Sequence, residues 1–140
     1  MIYYSDLKEF DGNEGEFLDL SNFVFKSLSL SVKNFSLNIV RRGRIKMLDK
    51  QYFDINIQTD VIALEYKNGA FSEIYIGDIF ICPAVIYRSS IVYNVEFMDE
   101  IRRSFVHGLL HLLGYDHKTP LNNQEEMFKI QEKILMDFKK

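Results

Sequence analysis

Residues 105–117 read FVHGLLHLLGYDH and contain every histidine of the chain: His107, His111 and His117. His107 and His111 are four residues apart on a predicted helix, so their side chains lie on the same helix face. Gly114 ends that helix at the position that favours glycine, which allows the chain to turn back and bring His117 toward the other two. The spacing predicts three imidazoles that converge on one zinc ion and leave one coordination position open for water.

The helix that carries the first two histidines is predicted to be buried. An α-helix that is apolar on nearly every side usually lies in a core, and a buried imidazole without a hydrogen-bond partner costs a few kcal/mol. A shared metal ion satisfies both imidazoles at once. The alternative interpretation is that His107 and His111 are core histidines bonded to backbone or carboxylate groups. The apolar neighbours are Phe105, Val106, Leu109, Leu110, Leu112 and Leu113.

The spacing H-x3-H-x2-G-x2-H is that of the metzincin proteases, whose motif is H-E-x-x-H-x-x-G-x-x-H. Here position 108 is Gly, where the proteases carry the glutamate that acts as general base. Peptide hydrolysis is therefore disfavoured, and a zinc peptidase is the least favoured of the candidate functions considered below. A glycine inside a helix costs about 1 kcal/mol relative to alanine. Either close approach of a substrate or tight helix packing explains Gly108.

Length and composition predict one domain that spans residues 1–140, with 47% hydrophobic and 26% charged residues. No apolar stretch reaches the roughly 18–20 residues that a membrane span needs, and the N-terminus does not resemble a secretory signal. Cys82 is the only cysteine, so an internal disulfide is excluded. These features predict a protein of a reducing compartment, located in the cytoplasm, without a membrane partner.

The net charge of −3 argues against a protein that coats nucleic acid through its overall field, but the charge is unevenly spread. Residues 41–50, RRGRIKMLDK, carry five basic side chains and one acidic side chain. A basic island on an acidic body suits a polyanion held at one place. The alternative is a solvated turn followed by the exposed face of a helix. The candidate polyanion-binding residues are Arg41, Arg42, Arg44 and Lys46.

Hydrophobic spacing and turn residues predict an α+β fold, a small mixed β-sheet with helices packed on it and a zincin-like metal site on one helix. The predicted strands lie at residues 1–4, 35–39, 61–66 and 73–82, with Asn68-Gly69 as a hairpin turn between the last two. The predicted helices lie at about residues 16–30, 44–53, 83–94, 96–113 and 122–138. Gly43 is predicted to separate the second strand from the second helix.

The eleven residues HGLLHLLGYDH at 107–117 resemble the motif of the bacterial YbeY endoribonucleases, which are also called ribosomal RNA maturation factors. The resemblance spans about residues 45–138 in the same order, and the N-terminal third is similar only in pattern. The other similar segments are Thr59-Asp60-Val61, Gly77-Asp78-Ile79-Phe80-Ile81, and the helix residues Met127, Phe128, Gln131, Ile134 and Leu135.

This resemblance implies a compact α+β fold with one histidine-bound zinc ion at the base of a cleft. It also implies a metal-dependent endoribonuclease that uses zinc-activated water to cleave single-stranded RNA. Its implied roles are maturation of the 3′ end of the small-subunit ribosomal RNA and ribosome quality control. The implied partners are ribosomal RNA, small-subunit ribosomal proteins and an assembly GTPase. A second candidate function is a ribosome-assembly binding factor in which the zinc ion serves stability and catalysis is slight.

The sequence departs from the family's pattern at two places near the predicted site. Phe53 stands where many members carry an arginine that is thought to matter for RNA cleavage, and Ile62-Ala63-Leu64 replaces the usual Leu-Ser-Phe. Both departures bear on the rate of cleavage and on substrate binding, and neither bears on metal binding. A hypothesis is that an arginine of the basic island supplies the missing positive charge.

No proton-transfer residue can be assigned from the sequence. Asp116 precedes the third predicted ligand and is a candidate to orient a ligand or accept a proton, although a solvated loop carboxylate is the favoured interpretation of its position. Asp60 and Asp78 are candidate hydrogen-bond partners of the ligand imidazoles. Capping roles or positions at strand ends are the alternative for both.

Overall fold

The computed structural model describes residues 1–54, 59–66, 74–115 and 124–139. Its strands are β1 (Ile2–Ser5), β2 (Asn34–Ile39), β3 (Val61–Glu65) and β4 (Tyr75–Ile81). Its α-helices are α1 (Glu14–Ser27), α2 (Arg42–Phe53), α3 (Pro83–Val92), α4 (Phe97–Leu112) and α5 (Gln124–Phe138), and a 3-10 helix (Lys8–Asn13) precedes α1.

The four strands form one sheet in the order β1-β2-β4-β3. β1 is parallel to β2 and β2 is parallel to β4, whereas β3 is antiparallel to β4. The mixed sheet with packed helices confirms the predicted α+β class. β3 and β4 pair as the predicted hairpin, although Asn68 and Gly69 lie outside the described residues.

Alternation along β2 and β4 divides the core into two apolar layers. Leu37 and Ile79 are paired neighbours that face α4, together with apolar side chains of α1 and α5. The opposite face of the sheet is covered by α2, whose Ile45 and Leu48 pack on Ile62 and Phe80. α4 therefore lies against the centre and the β3 edge of the sheet, with α5 on its outer side.

Local signals set both ends of α4. The Glu96 carboxylate accepts hydrogen bonds from the backbone N–H groups of Met98 and Asp99, which caps the N-terminus. At the other end Gly114 has a φ of 87°, its N–H donates to His111 O, and the Tyr115 N–H donates to Leu110 O. This pair of bonds is the Schellman motif. The predicted glycine stop is confirmed, and it lies three residues after His111.

Two predicted boundaries differ from the structure. α2 begins at Arg42, so Gly43 lies inside the first turn of the helix and does not separate it from β2. The reason is that Arg41 has the extended backbone of a residue that precedes a helix. α1 ends at Ser27, and Ser29 adopts a φ of 57° that stops the helix before residue 30. In the part of the chain that the structure describes, none of the helices has the length and hydrophobicity that a membrane span requires.

Candidate metal centre

His107 and His111 meet on the half-buried face of α4, one helical turn apart. Their ring centroids are 4.6 Å apart, and the two Nε2 atoms approach each other to 3.0 Å. Two ring nitrogens at this distance need either a proton or a cation between them, since two lone pairs would repel. The helical spacing thus brings the first two predicted ligands together, as the sequence predicts.

The hydrogen bond on the other side of the His107 ring identifies its tautomer. His107 Nδ1 lies 2.9 Å from the side-chain oxygen of Gln131. The amide nitrogen of Gln131 donates to a carboxylate oxygen of Glu132 at 3.0 Å, so the amide oxygen is the atom that faces His107. An amide oxygen only accepts, so Nδ1 carries the proton and Nε2 presents its lone pair toward His111.

This geometry fits a zinc ion. Tetrahedral zinc with Zn–N bonds of about 2.0–2.1 Å separates two ligand nitrogens by about 3.3 Å, close to the observed 3.0 Å. A metal-binding histidine usually donates a hydrogen bond from one ring nitrogen, which fixes the ring so that the lone pair of the other nitrogen faces the metal. His117, the third predicted ligand, and Asp116 lie outside the described residues. Within the described part, no group of three His, Cys, Asp or Glu side chains is placed to hold a metal.

A groove of about 330 Å³ leads to the two imidazoles along the edge strand β3. One wall is α4 with His107, Gly108 and His111; the other comprises residues from the C-terminal half of α2 and from β3. A second cavity of about 500 Å³ meets the same imidazoles from the side of α5. The wall of the 330 Å³ groove that faces α4 is formed by Asp49, Phe53, Thr59, Val61, Ile62 and Ala63.

Gly108 is buried where α4 crosses the sheet. A Cβ atom placed on it would lie 3.1 Å from Ile79 Cγ2 and 3.2 Å from Val61 Cγ2. Both distances are shorter than ordinary van der Waals contact between carbon atoms, about 3.5–4.0 Å. Of the two explanations left open by the sequence, tight helix packing therefore has direct structural support.

Asp49 is the site residue that the sequence does not reveal. Its side chain is buried, and the carboxylate accepts hydrogen bonds from the Thr59 N–H at 3.1 Å and the Thr59 hydroxyl at 2.9 Å. These bonds tie α2 to the start of β3 and hold the two parts of the groove wall together. In the sequence Asp49 counts only as one negative charge in a basic run, and the similarity at Thr59 is the one signal that points to this region.

The carboxylates of Asp60 and Asp78 bond elsewhere. Asp78 lies on the opposite face of the sheet from α4, where the Ser36 hydroxyl donates to it at 2.6 Å and the Tyr75 hydroxyl also donates. Burial, followed by this hydrogen bond, raises the pKa of Tyr75 to about 12. Asp60 is exposed and lies 3.4 Å from the hydroxyl of Ser104. The structure does not bring Asp78 to the imidazoles, and it places Asp60 beside Ser104, which lies about one turn of α4 before His107.

The arginines of the basic island lie at the N-terminal end of α2, and Phe53 of the groove wall lies at its C-terminal end. Arg42 is eleven residues from Phe53, which is about 16 Å along a helix axis. Arg41 donates to the backbone oxygen of Asp6, and Arg44 lies over the Tyr4 ring at 5.6 Å. Lys46 is exposed. None of the four candidate RNA-binding side chains is among the described residues that line the groove.

Comparison with known proteins gives one consistent result. The sequence profile of the family described as endoribonuclease YbeY matches residues 10–139. Endoribonuclease YbeY of Borrelia turicatae is 36% identical over 121 aligned positions, covering 83% of this chain and 82% of the relative. Endoribonuclease YbeY of Lactobacillus acidophilus is 34% identical, covering 98% and 88%. The chain belongs to the YbeY endoribonuclease family.

A solved structure supports the same placement. The solution structure of a Thermotoga maritima protein is similar with a TM-score of 0.66 and 26% identity, covering 98% of this chain and 88% of that one. The chain thus spans most of the length of the YbeY relatives that it matches, and its fold matches over nearly all residues. In this YbeY family member, Phe53 and Asp49 both lie on the groove wall.

Proposed function

We propose that this chain is a zinc-dependent endoribonuclease that cleaves single-stranded RNA, with one zinc ion held by His107, His111 and His117. The observation that carries the proposal is the approach of two imidazole Nε2 atoms to 3.0 Å at the end of a groove. Membership of the YbeY family supports the nuclease activity. The resemblance of the motif to the family supports His117 as the third ligand.

The proposed chemistry is hydrolysis of a phosphodiester. A zinc ion at this position would polarise a phosphoryl oxygen and lower the pKa of water to near 7. The groove would hold the RNA strand so that the scissile phosphate lies at the imidazole end, and the apolar side chains of Val61 and Ala63 would limit access of bulk water. The hydrogen bond between Asp49 and Thr59 would hold the wall against which the strand lies.

Phe53 offers the groove a stacking surface in place of a positive charge. Its side chain is 50% exposed and lines the groove with His107 and His111. Stacking of a base on an aromatic ring contributes about 1–3 kcal/mol and requires an unpaired base. We propose that Phe53 stacks on a base next to the scissile phosphate, which accounts for a preference for single strands.

The basic island is proposed to bind the backbone of the same RNA at a distance from the cut. Arg41 and Arg44 are exposed at the N-terminal end of α2, about 16 Å along the helix from Phe53. Alanine substitution of Arg41, Arg42 and Arg44 together should weaken RNA binding. It should also reduce the salt dependence of binding by about 0.7 in slope for each phosphate that is no longer neutralised. Unchanged affinity and slope would remove the basic island from the binding surface.

The cellular role follows from the family resemblance and is proposed on that basis. The proposed substrate is ribosomal RNA in the cytoplasm, with maturation of the 3′ end of the small-subunit RNA and ribosome quality control as the processes. Small-subunit ribosomal proteins and an assembly GTPase are the proposed protein partners. One catalytic domain over residues 1–140 would serve all of these roles.

The test combines metal analysis and RNA cleavage on a single preparation. The wild type should contain about one zinc ion per chain and cut an unpaired RNA oligonucleotide, and His117→Ala should lose both properties. Equal cleavage by the wild type and the variant would point to a contaminating nuclease and contradict the proposal. A duplex of the same sequence serves as the substrate control and should be cut much more slowly.

A second candidate, a ribosome-assembly binding factor with a structural zinc ion, is favoured by Phe53 in place of the family's arginine. It predicts that the wild type holds zinc and binds the oligonucleotide without cutting it. A zinc peptidase has less support, because Gly108 provides no carboxylate to accept a proton. Incubation with an unfolded protein substrate should give no peptide products.

A further inference from the structure

Gln131 is a buried polar residue whose position is not explained by packing alone. It lies on α5 with 4% of its surface exposed, among apolar residues of the helix such as Met127, Ile134 and Leu135 that face the core. A buried amide costs a few kcal/mol unless its hydrogen bonds are satisfied. Its oxygen is satisfied by His107 and its nitrogen by Glu132.

The orientation of this amide is set by a chain of contacts that begins and ends on α4. Arg103 Nε donates to one oxygen of Glu132 at 3.0 Å, and Arg103 Nη2 donates to the other at 3.2 Å. This two-point contact holds the carboxylate plane. Burial alone would raise the pKa of Glu132, but hydrogen bonds from Arg103 and Gln131 outweigh burial and lower it. Glu132 is therefore an anion at neutral pH and accepts a hydrogen bond from the amide nitrogen.

A reversed amide would have the opposite effect on the metal centre. If the amide nitrogen of Gln131 faced His107, Nδ1 would have to accept, and the ring proton would lie on Nε2, where it blocks coordination. The carboxylate of Glu132 disfavours this reversal, because an amide oxygen would then face an anion. Arg103 precedes His107 by one helical turn, so the chain of contacts closes on the same helix.

We propose that Gln131, oriented by Glu132 and Arg103, is a positioning residue that keeps the His107 proton on Nδ1 and thereby sets the affinity of the site for its metal. The proposal rests on the zinc site proposed above. It concerns residues of α5 and α4 other than the three proposed zinc ligands. Loss of such an outer hydrogen bond typically costs 10–100-fold in metal affinity.

The first measurement is the zinc dissociation constant, determined by competition with a chromophoric chelator. Gln131→Leu removes the acceptor at nearly constant volume and should weaken zinc binding about 10–100-fold. Gln131→Glu combined with Glu132→Gln keeps an acceptor facing Nδ1 and a hydrogen bond between residues 131 and 132, and it should stay within a few-fold of the wild type. Gln51→Leu makes the same chemical change at an exposed site on α2 and should leave the constant unchanged. Wild-type affinity in Gln131→Leu would overturn the proposal.

The second measurement is independent of zinc. Nitrogen-15 chemical shifts of the metal-free wild type at pH 8 should identify His107 as the tautomer with the proton on Nδ1. Gln131→Leu should show a mixture of tautomers or the Nε2–H form. A wild-type His107 with its proton on Nε2 would refute the proposal even if zinc binds tightly. If neither the wild type nor any variant binds zinc, the proposed zinc site is wrong. The nitrogen-15 shifts then still show whether Gln131 keeps the His107 proton on Nδ1.

Discussion

Replacement of Gly108 by alanine tests how closely α4 packs on the sheet at the metal centre. Two effects oppose each other. Alanine gains about 1 kcal/mol over glycine within a helix, whereas an extra methyl group in a packed core costs about 1–3 kcal/mol. The new Cβ would lie 3.1 Å from Ile79 and 3.2 Å from Val61. Ile79 is fully buried and has little room to shift. We therefore expect a net loss of about 1 kcal/mol.

Gly43→Ala is the matched control for this substitution. Gly43 lies in the first turn of α2, and a Cβ placed there has no neighbour within 4 Å. Only the helix propensity applies, and we expect a gain of about 0.5–1 kcal/mol. The difference between the two variants then isolates the cost of the contacts with Ile79 and Val61.

Urea unfolding followed by circular dichroism measures both variants against the wild type, with an unchanged slope as the sign that the same surface is exposed. If Gly108→Ala stabilises the protein as much as Gly43→Ala, the packing argument is wrong. Close approach of a substrate would then be the remaining explanation of Gly108. Cleavage of single-stranded RNA by the folded Gly108→Ala variant distinguishes the two, because a packing role alone leaves it close to the wild-type rate.

Three further predictions concern the imidazoles, the groove, and the ion pair between Arg103 of α4 and Glu132 of α5. His111→Ala should lose zinc while the circular dichroism spectrum still indicates a folded domain; full zinc occupancy would refute its role as a ligand. Phe53→Ala should raise KM for an unpaired oligonucleotide about 5–150-fold, the equivalent of about 1–3 kcal/mol of stacking, whereas Phe53→Tyr should preserve it. Because the pKa of Glu132 is lowered in the folded state, its contribution to stability is present above pH 4.5 and is lost as the pH falls through the lowered value. Arg103→Met should therefore reduce the loss of stability between about pH 5 and 3, as measured by urea unfolding; an unchanged acid profile would argue against this linkage.

The parts of the site that the sequence predicts are those set by local chain geometry. Helical periodicity places His107 and His111 on one face, and Gly114 ends the helix through bonds to residues three to five positions away. Those relations depend on backbone spacing alone, so they can be inferred before the fold is known. The family motif adds information of another kind, because it relates distant segments that periodicity does not connect.

The parts that could not be predicted depend on pairing between distant segments. Asp49 meets Thr59 only because α2 crosses to the start of β3, and Gln131 meets His107 only because α5 packs beside α4. Asp78 precedes Ile79 in β4, so the two side chains lie on opposite faces of the sheet, but the face that α4 covers is set by packing between distant segments. The position of Asp78 next to a core residue in the sequence did not show whether it shares a face of the sheet with the histidines.

Gly108 accounts both for the close packing of α4 on the sheet and for the lack of a protease-type general base. A residue with a side chain at 108 would place its Cβ against Ile79 and Val61, so a glutamate there would have to shift the side chains of both residues. The close packing of α4 on the sheet therefore disfavours any side chain at position 108, including one that carries a general base. Any proton acceptor for hydrolysis must come from another element. For phosphodiester cleavage this is a smaller loss than for peptide cleavage, because catalysis of phosphoryl transfer depends mainly on positioning and on charge stabilisation.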